Sequence, residues 1–309
     1  SLSSASVGAW QPRLESADSA NSYERETIAA RVHDLVRNDG WASAGLQKKV
    51  DMAIGGGWRL SCKPDFRALG QSPEWAAEFS TKVEALWRSH TTDPRRFVDH
   101  ERELDFAGLL ALKFRHFCTD GESLSVMRWK ERGGMFSTCE QIIDPDRLSN
   151  PNWRSDTEML RGGKERDSEG VVIAYHIRSA HPGDTYLGAR RAVWDRVPRE
   201  TDWGRPIVIH HKEPSRAGES RPVSPLAPIL AKFRMLGRYD QAELQAAILN
   251  AVFAAFLESP FSGEELMGGM ENIVEYQTLR EEVHSRTGMR VDGVRLNTLA
   301  PGEKFNMTQ

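Results

Sequence analysis

Apolar positions follow helical spacing early in the chain, strand spacing in its middle, and helical spacing again towards its end. Residues 1–22 hold seven serines and little apolar periodicity, and read as a flexible arm. From Tyr23 onwards Ile28, Val32, Leu35 and Val36 share one helical face, up to a break at Asn38-Asp39-Gly40. A second helix runs through Leu46, Val50 and Ile54 and stops at Gly55-Gly56-Gly57. Ser72-Pro73 supplies an N-cap and a first-turn proline for a third, with Trp75, Phe79, Val83, Leu86 and Trp87 on one side. Phe106, Leu110, Phe114 and Phe117 mark a fourth, ended by Asp120-Gly121.

The period then shortens. Leu124, Val126 and Trp129, a Gly133-Gly134 turn and Phe136 to Ile143 predict a β-hairpin. Val171 to Ile177, Ala192 to Val197 and Pro206 to His210 predict further short strands. Beyond Pro228 no proline occurs until Pro260, and residues 226–258 read as one helix about 50 Å long at 1.5 Å per residue. Such a helix would protrude from a domain of this size. Its apolar, alanine-rich surface then needs covering, and copies of itself in a ring are one way to cover it. Two polar stripes run along it. One holds Asp240, Glu243, Ala247, Asn250, Ala254 and Glu258, and the other Arg234, Arg238, Gln241 and Gln245. Both suit ordinary solvated faces, and either suits the wall of a water-filled lumen.

Composition narrows the function classes. A chain of 309 residues has room for two domains and a large core without disulfides or metal. The net charge of −3, from 41 basic and 44 acidic side chains, argues against gripping nucleic acid by raw charge. Three cysteines without a CxxC pair favour a reducing compartment. The longest apolar run, Ala246 to Leu257, is twelve residues against the roughly 20 that a bilayer requires. With no signal peptide at Ser1, the expectation is a soluble intracellular protein, processed or a fragment, with no membrane association.

Candidate chemistry is sparse. Gly55-Gly56-Gly57 and Arg161-Gly162-Gly163-Lys164 both lack the spacing of a phosphate loop. His210-His211 and the pair Asp144 and Asp146 are the best candidates for a metal or acid–base site. Adjacent strand histidines point to opposite faces, so both cannot easily ligate one ion. No catalytic residue, metal or cofactor is expected. The alternatives are a metal-dependent hydrolase or nuclease using Asp144, Asp146 and His210, and a monomeric helical adaptor.

Several segments, taken in order, resemble the lambda-like portal proteins of tailed bacteriophages. They are Asp34-Leu35-Val36-Arg37-Asn38-Asp39-Gly40-Trp41-Ala42, Gly57-Trp58-Arg59-Leu60-Ser61 with Lys63-Pro64, Asp120-Gly121-Glu122, and Arg147-Leu148-Ser149-Asn150-Pro151-Asn152. Arg216-Ala217-Gly218-Glu219-Ser220-Arg221 then leads through Ser224-Pro225-Leu226 to the alanine-rich helix, and Leu299-Ala300-Pro301-Gly302-Glu303 with Phe305-Asn306 follows. Glu219 and Pro222 stand where the family pattern has Gln and Gly.

The resemblance implies an α+β fold: a mixed helical and antiparallel-β wing body, a long protruding stem helix and a small α/β clip. The boundaries would be an arm at 1–22, the wing at 23–222, the stem helix at 223–260 and the clip at 261–309. The returning stem helix and crown of the family lie beyond the chain, which reads as a portal fragment. The implied assembly is a ring, typically a dodecamer, at one capsid vertex of the virion, built in the host cytoplasm. Its implied partners are the terminase large subunit, major capsid or scaffold protein, head-completion or tail proteins, and double-stranded DNA passing through without sequence specificity. Asp240, Glu243, Asn250 and Glu258 become candidates for the channel lining. Ala247, Ala251, Arg234 and Arg238 become candidates for packing between copies.

Overall fold

The computed structural model describes residues 13–56, 58–184 and 193–257, with two short strands between residues 289 and 296, and side chains as far as residue 249. The chain divides into two compact units, Ser1–Gly237 and Arg238–Gln309.

Among the described residues five helices precede the first strand, and their ends follow capping chemistry. Helix α1 (Ala17–Ser22) is capped by Ser16, α3 (Gly40–Ile54) by Asp39 and α5 (Phe106–Asp120) by Asp105, each through its side chain. Helix α4 (Pro73–Thr91) starts as expected, with the Ser72 hydroxyl accepting from the Trp75 amide. Asp39 closes α2 (Arg25–Asn38) and opens α3, so Asn38-Asp39-Gly40 is a corner between two helices rather than a longer break. Leu46 and Val50 of α3 pack against Cys118 of α5, with Phe114 and Phe117 alongside. Trp87 of α4 meets Phe106 of α5 edge-on at 4.9 Å.

Strands β1 (Glu122–Trp129) and β2 (Thr138–Ile143) form the expected hairpin, and β7 (Val208–Lys212) pairs with the other edge of β1. The second sheet runs β3 (Leu160–Arg161), β4 (Lys164–Arg166), β5 (Val172–Arg178) and β6 (Trp194–Pro198), all antiparallel. The result is a mixed α+β fold with antiparallel sheets. Its core lies where alternate residues of both sheets meet: Leu124, Val126 and Val208 against Tyr175, Ile177 and Val197, with Ile143 and Leu148.

Arg161-Gly162-Gly163-Lys164 is the turn of the β3–β4 hairpin. Both glycines have positive φ, 55° and 79°. A Cβ at Gly163 would lie 2.7 Å from the Ser149 amide nitrogen, so the site admits no side chain. The described part of the expected arm is also ordered by contacts. Asp18 of α1 accepts from the Ser220 amide at 2.6 Å and hydroxyl at 2.7 Å, and from Arg161 at 3.0 Å.

Ala227–Ile229 forms a 3-10 turn, and α6 runs from Leu230 to Leu257 over 28 residues, starting slightly later than the sequence suggests. Asn250, Ala251 and Glu258 lie outside the residues whose side chains are described. Of the clip expected over 261–309, the described residues are the antiparallel strands β8 (Met289–Val291) and β9 (Val294–Leu296). Among the described residues no helix is long and apolar enough to cross a membrane.

Candidate functional site: a four-faced helix and the ionic hub that anchors its lead-in

The Glu122 side chain, at the start of β1, is fully buried. Arg221 donates to it through Nε at 2.7 Å and pairs with it again through Nη2. His210 of β7 reaches Oε2 through Nε2 at 2.8 Å, and Arg25 of α2 stands 3.6 Å away. Burial works against ionisation of Glu122. The Arg221 charge and the His210 hydrogen bond outweigh it and hold the carboxyl far below its ordinary range. Burial also depresses His210 below its usual value despite Glu122. Arg221 continues to the backbone oxygens of Leu148 and Pro145.

Next to this hub sits Asp120, the last residue of α5, also buried. His116 contacts it at 3.1 Å and His33 at 2.7 Å. Burial again opposes ionisation, and the bonds from His116 and His33 win, keeping the carboxyl far below the usual range. The Asp120 bond in turn raises His33.

The hub fixes the strand of chain leading into α6. Glu219 accepts from Asn21 at 2.6 Å and from the Ser215 amide at 2.5 Å. The Ser224 hydroxyl donates to the Cys118 carbonyl at 2.9 Å. Gly121 ends α5 at φ 81°, and a Cβ there would lie 2.3 Å from the Val223 carbonyl oxygen. Residues 219–224 are therefore held from three sides: by α1, by the end of α5, and by Glu122.

At about 100° per residue, most described side chains of α6 sort into four faces, with Lys232 on the border between Tyr239 and Glu243 and Leu249 beside Arg238. Asp240, Glu243 and Ala247 share one side, which also carries Leu236. Arg234, Arg238, Gln241 and Gln245 occupy the opposite side. Between them lie two apolar faces, Met235 with Tyr239 and Leu244 with Ile248, and these four side chains are 69%, 60%, 63% and 41% exposed.

The residues of the metal-hydrolase alternative, Asp144, Asp146 and His210, are not brought together. Asp144 and Asp146 do lie together around the 3-10 turn Pro145–Arg147, but His210 belongs to the Glu122 hub. The reason is strand alternation: His210 points inward against Tyr175, at 5.7 Å, while His211 is exposed. The histidine whose ring nitrogen shares a 4.8 Å cluster with both aspartates is His181, which no sequence motif singled out. Burial and then repulsion from Asp144 raise the Asp146 carboxyl, and Arg25 stands 4.0 Å from it.

Residues 3–309 match the family described as "Phage portal protein, lambda family". The portal protein of Escherichia phage N15 is 31% identical over 308 residues, covering 96% of this chain and 57% of that protein. Portal protein B of Escherichia phage lambda is 29% identical over 309 residues, again covering 96% and 57%. The chain thus spans little more than half the length of these curated relatives. A solved structure described as the neck of a native GTA particle, computed with C12 symmetry, is similar at 13% identity and a TM-score of 0.32, covering 83% of this chain and 67% of that one.

Proposed function

Because this chain belongs to the lambda family of phage portal proteins, a family of structural proteins rather than enzymes, we propose that it contributes to a ring-shaped channel at the capsid vertex. Double-stranded DNA would be packaged through that channel by the terminase and later ejected. Head-completion or tail proteins would attach to the ring, and the capsid or scaffold protein would surround it. In this reading residues 23–222 are the wing, 223–260 the first stem helix and 261–309 the clip, and the protein resides in the virion.

The observation that carries the channel reading is the four-faced surface of α6. A helix in a ring of parallel copies needs two apolar flanks, one for each neighbour, and two polar sides, one towards the lumen and one away from it. Met235 with Tyr239 and Leu244 with Ile248 supply the flanks. Asp240 and Glu243 would face the lumen, continued by Asn250 and Glu258. Like charge there disfavours tight DNA binding, since each Lys or Arg contact with phosphate adds affinity and slows sliding. Ala247 borders the Leu244–Ile248 flank, with Ala251 one turn on, where small residues let a neighbour approach. Arg234 and Arg238 border both seams on the outer side.

Electron cryomicroscopy of the intact protein, with native mass spectrometry, tests this. The expected result is a closed ring with Asp240 and Glu243 towards the lumen. A stable monomer, as a helical adaptor would be, or a ring with those carboxylates turned outward, would refute it.

A further inference from the structure

A cleft of about 870 Å³ opens between β7, the β4–β5 pair and the loop 214–219, away from the Asp144 cluster and from α6. Its charged lining is mostly basic: Lys164, Arg166, Arg199, Lys212 and Arg216 against Glu200 and Glu219. Among the described residues, none of the two lysines and three arginines has a carboxylate within 4.0 Å. Glu219, on the cleft wall, is already engaged by Asn21 and Ser215.

The two ammonium groups are the unusual feature. Lys164 is 1% exposed, yet Lys164 and Lys212 both donate to the same carbonyl, that of Ser220. Arg166 gives Nη1 to Gly170 and Nη2 to the Ser220 hydroxyl, and its buried Nε has no acceptor. Buried cations are ordinarily paired with carboxylates. Here buried Lys164 and the half-buried Lys212 and Arg166 converge on one side of a cleft and share neutral oxygens. Burial, reinforced by repulsion from Lys212, pushes Lys164 down to about 7, and an oxyanion in the cleft would relieve that repulsion.

We propose that this cleft binds the terminal phosphoryl group of a small, multiply charged ligand. Arg166 and the exposed Arg199 supply planar donors suited to a phosphoryl group, and Lys164 and Lys212 supply point charges at the floor. Because Lys164 lies at the buried end, the ligand must enter end-on. A free phosphate, pyrophosphate or nucleotide tail can do so, whereas the continuous backbone of duplex DNA cannot.

Isothermal titration of the full chain with pyrophosphate at low ionic strength tests the proposal. One site per chain is expected, and Lys164→Met and Arg199→Glu should each weaken binding at least about tenfold. Arg199→Glu changes an exposed side chain, so it keeps the test valid should Lys164→Met misfold. Circular dichroism should show Arg199→Glu folded as the parent. A second arm adds 30-base-pair duplex DNA as competitor, and the pyrophosphate isotherm should not move. Absence of pyrophosphate binding, undiminished binding by a folded Arg199→Glu protein, or displacement of pyrophosphate by the duplex would each overturn the proposal.

Discussion

Replacing Glu122 with Gln tests the buried hub most directly. The substitution keeps shape and removes the charge that Arg221, Arg25 and His210 converge on. Arg221 is then left at 9% side-chain exposure without a carboxylate partner among the described residues, and Arg25, at 10%, keeps only Asp146 at 4.0 Å. Breaking a buried pair in this way costs about 3–5 kcal/mol, because the remaining charge is stranded rather than because the pair itself is worth that much. For a unit of this size each kcal/mol lowers the melting temperature by about 2–4 °C, so a drop of about 6–20 °C is expected. Intrinsic fluorescence of the nine tryptophans during heating reads it, and urea titration gives the free energy. A companion Arg221→Met variant separates stranding from ordinary packing loss. The double variant should be less destabilised than the sum of the two singles, since each removes the charge the other strands. A loss below about 1 kcal/mol for Glu122→Gln, the scale of a solvent-exposed pair, would refute the reasoning.

Other consequences follow from the same geometry. Gly121→Ala should cost at least about 2 kcal/mol in urea titration, because positive φ and the Val223 carbonyl both oppose a Cβ. Acid should destabilise the fold in a definite window. Glu122 and Asp120 have depressed folded-state values, so their contribution is complete above the ordinary 4.5 and 3.8 and is lost progressively as pH falls below them. Melting temperatures of Glu122→Gln should accordingly fall less steeply than those of the parent below pH 4.5. Ala247→Trp should hinder ring closure by overpacking, at about 1–3 kcal/mol per seam, and full rings in native mass spectrometry would contradict that. Charge reversal at Asp240 and Glu243 to Lys should slow DNA translocation in a packaging assay, most strongly at low salt.

Local features were the legible ones. The Ser72-Pro73 start of α4, the Asp120-Gly121 stop of α5 and the β1–β2 hairpin all depend on residues a few positions apart, where capping and turn chemistry act. The β3–β4 hairpin was missed because its strands are two and three residues long, too short to show alternation, and because its glycine pair invites comparison with a phosphate loop. The hub left no local trace. Glu122 meets His210 and Arg221 across 88 and 99 positions of sequence, and no spacing rule connects them. The same holds for His181, which reaches Asp144 and Asp146 only through the folded sheet. On α6 the two polar stripes were readable from period alone, while the significance of the apolar flanks between them depended on seeing that the helix leaves them exposed.

The lead-in to α6 depends on contacts separated by more than a hundred positions, as in Asp18 with Ser220 and Cys118 with Ser224. Such contacts cannot form until α1, α5 and β1 are already in place. Contacts of such long sequence separation carry a high loop-closure cost, so the anchoring of the lead-in would be expected after local helices and hairpins have formed. A subunit released too early would offer neighbours the apolar flanks of α6 on an unfixed tether, and its encounters would be random in register. In the proposed ring, completed anchoring would let each copy present α6 with its lead-in already fixed.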